Sequence, residues 1–168
     1  DAMLKEMAFT SQLMKDKTLD TFYMGGGTPT TLEPEQLDRV LGFFEDSFDT
    51  SKLKEYTIEA GRPDSITKDK LMVMKKHGVN RISINPQTMN DDTLKLIGRR
   101  HTVSQVKDAF ALARECGFDN INMDLIIGLP GENEDYIKRT MDEVAALAPD
   151  SLTVHSLAIK RAAGLNIL

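Results

Sequence analysis

Apolar and polar residues alternate along five segments of the chain, and helix-like stretches separate these segments. In the fourth segment, for example, polar Asn122 and Asp124 alternate with apolar neighbours. The other alternating segments are residues 21–24, 56–59, 81–85 and 151–155. Neighbouring side chains on a strand point to opposite faces, so each segment is predicted to be a strand with one apolar and one polar face. Helices between successive strands indicate βαβ units and a parallel sheet.

The polar face is the informative feature of these strands. Strands of a parallel sheet are usually buried on both sides and apolar on both. A polar face therefore indicates an interior that is wet, most simply a barrel or part of one with a ligand inside. At 168 residues the chain is short for a complete (β/α) barrel of eight strands, which needs about 250. We predict an α/β fold, a partial (β/α) barrel that forms one domain over residues 1–168.

Composition narrows the classes of partner. The net charge of −5 and the pI of about 5.2 argue against a nucleic-acid surface, which is normally basic. No apolar run approaches the ~20 residues of a membrane span, and no secretory signal is visible at the start. Cys116 is the only cysteine, so neither a disulfide framework nor a cysteine metal site is expected within the chain. We expect a cytoplasmic protein without nucleic-acid or membrane partners.

Three glycines, Gly25, Gly26 and Gly27, follow the first predicted strand directly and precede Thr28. Glycines let a backbone approach a ligand without a Cβ in the way, and they leave N–H groups free to bind a carboxylate. The alternative is a tight turn between strand and helix. Because a turn rarely needs three glycines, we favour a ligand-binding loop.

Two polar residues mark the ends of the second and third strands. Glu59 lies on the polar face, where its carboxylate could accept a ligand's ammonium or hydroxyl group; the alternative is an ion pair with Arg62 or Arg81. Gln87 follows the third strand on the same side. A buried amide fixes a ligand by donating and accepting at once, although an amide that caps a loop is a common alternative.

Asp124 lies in an otherwise apolar strand, just before a glycine-rich loop at residues 128–131. A charge in such surroundings costs several kcal/mol unless it is paired. The partner is either a ligand, which we favour, or an arginine such as Arg81 or Arg99. Parallel barrels keep their chemistry at the carboxyl ends of the strands, which is where this loop should lie.

Histidines and arginines supply further candidates. Arg99, Arg100 and His101 lie in a loop between two predicted helices, where they either contact a ligand carboxylate or form a solvated turn. His155 is the histidine that we retain as a site candidate, because its strand directs it to the polar face. Cys116 lies at a helix end and is expected to be structural.

Several of these motifs together resemble the radical S-adenosylmethionine (radical SAM) enzymes, in order along nearly the whole chain. The motifs are residues 23–30 (YMGGGTPT), the strand end at Glu59, Gln87, residues 98–102 (GRRHT) and residues 122–131 (NMDLIIGLPG). Within these enzymes they resemble the oxygen-independent coproporphyrinogen III oxidases. Residues 59–64 (EAGRPD), 83–87 (SINPQ) and 155–161 (HSLAIKR) are most similar to the HemZ-type coproporphyrinogen dehydrogenase branch.

The resemblance implies oxidative decarboxylation of two porphyrinogen propionates to vinyls, in haem and porphyrin biosynthesis. A [4Fe-4S] cluster, fed by an external electron donor, would reduce S-adenosylmethionine, and the resulting 5′-deoxyadenosyl radical would abstract hydrogen from the porphyrinogen. The glycine loop would hold the cofactor's amino-acid end. The positions that match cofactor contacts of the family are Gly25, Gly26, Gly27, Thr28, Glu59, Gln87, Arg99, Asp124 and Ala158.

One departure from the family is large. The family holds its cluster through three cysteines spaced C-x-x-x-C-x-x-C, upstream of the first helix here, and this chain starts after them. We therefore expect a piece of a longer protein that lacks the first barrel strand and any C-terminal domain, and that is inactive alone. Two alternatives to the oxidase stay open. One is a haem chaperone with the same motifs, and the other is a non-catalytic module that binds S-adenosylmethionine or a porphyrin.

Overall fold

The computed structural model describes residues 1–158 and contains one sheet of five parallel strands. In chain order they are β1 (Thr21–Met24), β2 (Glu55–Ala60), β3 (Arg81–Gln87), β4 (Ile121–Ile127) and β5 (Ser151–Ser156). Each strand pairs with the next one in the sequence, so the spatial order is β1-β2-β3-β4-β5. This architecture confirms the predicted α/β fold with five parallel strands.

Helices connect the strands as the apolar period predicts. They are α1 (Ala2–Leu13), α2 (Pro34–Ser47), α3 (Lys68–Lys76), α4 (Asp91–Leu96), α5 (Val103–Glu115) and α6 (Glu134–Leu147), with short 3-10 helices at Pro29–Thr31 and Pro63–Ser65. Thr67 and Asn133 cap α3 and α6, since their side chains accept hydrogen bonds from backbone N–H groups of the first turn. Asn90 precedes α4, but its side chain does not cap that helix. Its amide nitrogen instead donates to Thr140 Oγ1 at 3.0 Å, because both residues are buried together.

The core lies between the sheet and the helices packed on its outer face. Leu37, Leu41 and Phe44 of α2 pack there with residues from α3 and α5 against the strands. From the strands come Ile58 of β2, Ile82 and Ile84 of β3, and Ile121 and Met123 of β4. Burying one such side chain contributes about 1.5–3 kcal/mol. The opposite, inner face of the same strands carries the polar residues, so packing of the outer face fixes where they stand.

The outer face of β5 differs from that of the central strands. Leu152 and Val154 remain 37% and 49% exposed, and no element within residues 1–158 covers them fully. None of the helices in this part of the chain is long and apolar enough to cross a membrane. Residues 159–161, which complete the sequence motif that starts at His155, lie outside the described residues.

Candidate functional site

The carboxylate of Glu59 joins the glycine loop to the end of β2. One oxygen, Oε2, accepts a hydrogen bond from the backbone N–H of Gly26 at 3.1 Å and lies 3.4 Å from the hydroxyl of Tyr23. The other oxygen, Oε1, accepts from the amide of Asn85 at 2.9 Å. Glu59 forms no ion pair within the described residues, so neither Arg62 nor Arg81 is its partner. The structural alternative considered for this carboxylate is therefore wrong.

A side chain at either of two glycines would crowd the carboxylate of Glu59. A Cβ on Gly25 would lie 2.2 Å from the ring of Tyr23 and 2.8 Å from Oε2 of Glu59. A Cβ on Gly61 would lie 3.1 Å from Oε1 of Glu59. By contrast, Gly26 and Gly27 have positive φ angles of 79° and 55° and open space around them. The loop thus leaves room beside Glu59, which a turn alone does not need.

Gln87 ends β3 in a strained backbone conformation. Its φ is +70°, a value that non-glycine residues rarely adopt, and the pairing of β3 with β4 shifts register between Ile84 and Gln87. Such bulges redirect a side chain at the end of a strand, and the strain persists because the surroundings enforce it. The side chain of Gln87 is only 7% exposed and forms no hydrogen bond with residues 1–158. Gln87 lines a cavity, and its amide is not among the fully buried polar groups without a partner, so its hydrogen-bonding capacity is open to that cavity.

His101 contacts the backbone of this bulge at Pro86. It is 4% exposed, and its Nε2 lies 3.3 Å from the carbonyl oxygen of Pro86, the residue before Gln87. Burial lowers the pKa of His101, the carbonyl of Pro86 opposes that effect, and the nearby charge of Arg99 adds to it. A neutral ring that carries its proton on Nε2 can donate to the carbonyl. The solvated turn considered for this residue is therefore wrong, and His101 has a structural contact.

Glu59, Gln87 and part of the glycine loop line one cavity at the carboxyl ends of β2 and β3, here called the Glu59 cavity. Its volume is about 410 Å³. The lining residues are Gly27, Thr28, Glu59, Gly61, Arg62, Asn85, Gln87, Ile97, Gly98 and Arg99. Burial, and secondarily the neighbouring charge of Arg62, lowers the pKa of Arg99. The cavity thus combines an acidic, an amide and a basic wall, which suits a ligand that carries both an ammonium and a carboxylate.

Asp124 lies in a separate group of polar side chains on β3, β4 and β5, here called the Asn122 network. Its members are Ser83, Asn122, Asp124, Ser151 and Thr153. Asn122 donates to Asp124 at 2.6 Å and to Ser83 at 3.0 Å, and it accepts from Ser151 and Thr153 at 2.9 and 3.2 Å. Asp124 forms no ion pair within residues 1–158, so a salt bridge to Arg81 or Arg99 is wrong for this part of the chain.

The polar face is drier than its sequence suggests. Thr57, Ser83, Asn85 and Asn122 are each at most 5% exposed, because side chains of neighbouring strands bond to one another and fill the interior. His155 lies near the carboxyl end of β5 and is exposed. Ala158 follows β5 and is also exposed, and neither residue reaches the Glu59 cavity. Their part in a site stays a prediction.

A buried lysine that the sequence did not single out braces the loops around the cavity. Lys70 of α3 is 9% exposed, and its Nζ donates to the carbonyl oxygens of Thr30 at 2.7 Å and Ser65 at 3.3 Å. The hydroxyls of Thr30 and Ser65 also lie 2.6 Å apart. The glycine loop is thereby tied to the loop that carries Arg62. A lysine in an amphipathic helix gives no sequence signal for this role.

The family model described as the Radical SAM superfamily matches residues 6–144. The chain belongs to the radical SAM superfamily. Among individual proteins it is similar to the oxygen-independent coproporphyrinogen-III oxidase-like protein HemZ of Bacillus subtilis, with 48% identity over 152 residues. It is also 37% identical to the heme chaperone HemW of the same organism and 32% identical to the oxygen-independent coproporphyrinogen III oxidase of Escherichia coli.

The relationship extends to the fold. The solved structure of the E. coli coproporphyrinogen III oxidase HemN, described as a radical SAM enzyme, superposes with a TM-score of 0.86 at 31% identity. The superposition covers 94% of this chain and 36% of the HemN chain. The sheet is therefore the partial barrel of radical SAM proteins, as predicted. The alignments with the three relatives named above include 90–95% of this chain. They cover only 30%, 42% and 34% of the relatives' own lengths.

The two cofactors of this superfamily fit the described residues unequally. For S-adenosylmethionine the fit is good, since the Glu59 cavity offers an acidic group, an open glycine loop and the unused amide of Gln87. For a [4Fe-4S] cluster the fit is poor. Within residues 1–158 no three His, Cys, Asp or Glu side chains are grouped as metal ligands, and Cys116 lies at the end of α5. Ligands for a cluster would have to lie outside these residues.

Proposed function

We propose that this chain forms the cofactor-binding part of a radical SAM oxidoreductase that acts on coproporphyrinogen III. The observation that carries the proposal is the Glu59 cavity, where an acid, a glycine loop and an unused buried amide meet at the carboxyl ends of the strands. Similarity to HemZ and to coproporphyrinogen III oxidases supports the choice of substrate. The proposed reaction is oxidative decarboxylation of propionates to vinyls.

Each wall of the Glu59 cavity has a proposed role toward S-adenosylmethionine. Glu59 accepts hydrogen bonds from the ammonium of the amino-acid end, and the glycine-loop N–H groups other than that of Gly26, which already donates to Glu59, bind the cofactor's carboxylate. Gln87 and Arg99 bind further polar groups of the cofactor, and Asp124 accepts a hydroxyl from inside the barrel. S-Adenosylmethionine, when bound and reduced by one electron from an external donor, would supply the radical chemistry for hydrogen abstraction from the propionate. Loss of CO2 to give the vinyl group would release one electron to an external acceptor.

Lys70 and His101 hold these groups in place. Because charge-assisted hydrogen bonds depend on distance and angle, a glycine loop tied through Lys70 keeps its N–H groups beside Glu59. His101 holds the backbone at Pro86, which keeps the amide of Gln87 turned inward. A site supported in this way loses little entropy when a ligand binds.

The test is anaerobic turnover of coproporphyrinogen III by the full gene product, reconstituted with iron and sulfide. We expect 5′-deoxyadenosine and vinyl-bearing porphyrinogens to form together, and Glu59→Gln to suppress both. Arg139→Gln is the matched control, because Arg139 lies on α6 and packs over Tyr136 outside the cavity. S-Adenosylmethionine cleavage without any decarboxylated product would contradict the substrate and leave the cofactor assignment standing.

A heme chaperone is the second candidate, since the chain is 37% identical to HemW over 95% of its length. The same preparation separates the two functions. Transfer of bound haem to an acceptor protein, without porphyrinogen turnover, would identify the chaperone.

A further inference from the structure

A second cavity lies next to the Glu59 cavity, and three of its six lining residues are arginines. Its volume is about 260 Å³, and it is lined by Arg62, Asp64, Gly98, Arg99, Arg100 and His101. The two cavities share Arg62, Gly98 and Arg99, so they adjoin each other at the carboxyl ends of β2 and β3. A ligand in one would thus be close to a ligand in the other.

The positive charge of this second cavity is not balanced within the described residues. Three arginines line it with a single acid, Asp64. None of Arg62, Arg99 and Arg100 forms an ion pair with any of residues 1–158. Arg62 and Arg99 line the same cavity, and burial together with the charge of Arg62 lowers the pKa of Arg99, while Asp64 and Glu59 act in the opposite direction. An anion between the arginines would offset their positive charge and gain several charge-assisted hydrogen bonds.

The backbone that presents these arginines is held in place. The carbonyl oxygen of Arg62 accepts from the N–H and the hydroxyl of Ser65, at 2.9 and 2.8 Å, and Lys70 donates to the carbonyl of Ser65. On the other side, the N–H of Arg99 donates to the carbonyl of Leu94 at 2.8 Å. Two braced loops that are 37 residues apart in sequence therefore point basic side chains into one cavity.

We propose that Arg62 and Arg100 form a carboxylate-binding site for a propionate of the tetrapyrrole, beside the bound cofactor. The assignment rests on the proposed function for its choice of ligand. Planar guanidinium groups bind carboxylates through paired N–H donors, and two of them on separate loops suit an anion that enters from the open side. Placing a propionate here brings that side chain next to the Glu59 cavity and so to the cofactor proposed to bind there.

The test is binding of coproporphyrin III, the oxidised and unreactive porphyrin, to the full gene product in a fluorescence titration. The second probe is its tetramethyl ester, which has the same ring without charged carboxylates. We expect the acid to bind at least tenfold more tightly than the ester. Arg62→Gln and Arg100→Gln should each weaken binding of the acid about tenfold, the effect of losing one charge-assisted hydrogen bond, and leave the ester unchanged. Arg139→Gln should bind both probes as the wild type does.

Binding of S-adenosylmethionine, measured by calorimetry on the same variants, separates the two possible sources of a carboxylate. Unchanged cofactor affinity with weakened porphyrin affinity in Arg100→Gln supports the propionate site, because Arg100 lines only the second cavity, whereas Arg62 lines both. Weakened cofactor affinity with unchanged porphyrin affinity overturns it, because the arginines would then serve the cofactor. Equal binding of acid and ester, or no binding of coproporphyrin III by the wild type, also overturns it.

Turnover distinguishes failure of this site from failure of the proposed function. A gene product that oxidises coproporphyrinogen III with the same KM in all three variants keeps the function and loses the site. One that binds coproporphyrin III through Arg62 and Arg100 but never oxidises coproporphyrinogen III keeps the site and loses the function. Thermal melts of each variant exclude unfolding as the cause, since both arginines are exposed or nearly so.

Discussion

The Glu59 cavity and the Asn122 network lie on the same face of one sheet, yet they use polar side chains in opposite ways. In the network, Asn122 makes all four hydrogen bonds that an amide side chain can make, and every partner belongs to the chain itself. In the cavity, the buried amide of Gln87 makes none with residues 1–158. The two regions are even connected, since Ser83 bonds both to Asn122 and to Asn85, which donates to Glu59.

This difference separates polar residues that stabilise the fold from polar residues whose hydrogen bonds remain available to a ligand. A satisfied network makes an interior specific and rigid, whereas the amide of Gln87 opens onto the cavity and keeps its hydrogen-bonding capacity for water or a ligand. Variants on the two sides should therefore respond differently. Network variants should lose stability, and cavity variants should lose affinity.

Asn122→Ala should give the largest effect. It removes four hydrogen bonds and leaves Ser83, Asp124, Ser151 and Thr153 without that partner, so the free energy of unfolding should fall by about 3 kcal/mol or more. Urea denaturation of the full gene product measures it. Thr153→Val, which removes one of these bonds, is the graded control and should cost about 1 kcal/mol. A loss below 1 kcal/mol for Asn122→Ala would remove the basis of the comparison.

Asp124→Asn tests the boundary between the two regions, because Asp124 bonds to the network and is also proposed to contact the cofactor. A carboxylate accepts more hydrogen bonds than the single one from Asn122, so capacity remains for a ligand hydroxyl. We expect affinity for S-adenosylmethionine to fall about tenfold, since one charge-assisted hydrogen bond is lost. The corresponding loss of binding free energy should exceed the loss in the free energy of unfolding. Calorimetry and a denaturant melt on the same variant decide it. Unchanged affinity with a large loss of stability would assign Asp124 to the network alone.

The order of strands and helices was predictable from the sequence, because burial of the outer face leaves a clear apolar period. Capping by Thr67 and Asn133 is also local, because each side chain accepts from a backbone N–H two or three residues further along the chain. The positions of Glu59 and Gln87 at strand ends were also predictable. Their partners were not, because the contact of Glu59 with Gly26 joins residues 33 positions apart.

What the sequence could not show depends on such distant contacts. The role of Asn122 as the centre of a network requires the register of three strands, and the positive φ of Gln87 requires the bulge against β4. Arg62 was considered only as a partner for Glu59. The second cavity exists because the loop after β2 lies beside the loop after α4, which no local pattern encodes.

Acid should weaken the support of Gln87. Burial lowers the pKa of His101, so the folded state prefers the neutral ring. Because this pKa lies below the unfolded value of about 6.5, the preference stabilises the fold fully above that pH and is lost as the pH falls through the folded pKa. The charges of Arg99 and Arg62 add to this downward shift, and the carboxylate of Asp64 opposes it. Wild-type protein should therefore lose more stability than His101→Gln between pH 7 and about 5, measured by urea denaturation; equal losses would contradict the assignment.

Tyr56→Phe should give the smallest effect and lies outside both regions. The hydroxyl of Tyr56 is buried without a partner among the described residues, and burial raises the pKa of this phenol. Removing it should leave stability unchanged or raise it by up to about 1 kcal/mol. A thermal melt checks this. A clear loss would show that removing a buried hydroxyl costs stability even where it makes no hydrogen bond. The loss expected for Thr153→Val could then not be assigned to its hydrogen bond.

Glu59→Gln tests the central claim most directly, because it keeps the shape of the side chain and removes its charge. Isothermal titration with S-adenosylmethionine and urea denaturation should be done on the same preparations of wild type and variant. The account predicts that cofactor affinity falls at least tenfold while the free energy of unfolding changes by less than about 1 kcal/mol. Unchanged affinity, or a loss of stability as large as that of Asn122→Ala, would show that Glu59 serves the fold and that the cavity is not the cofactor site.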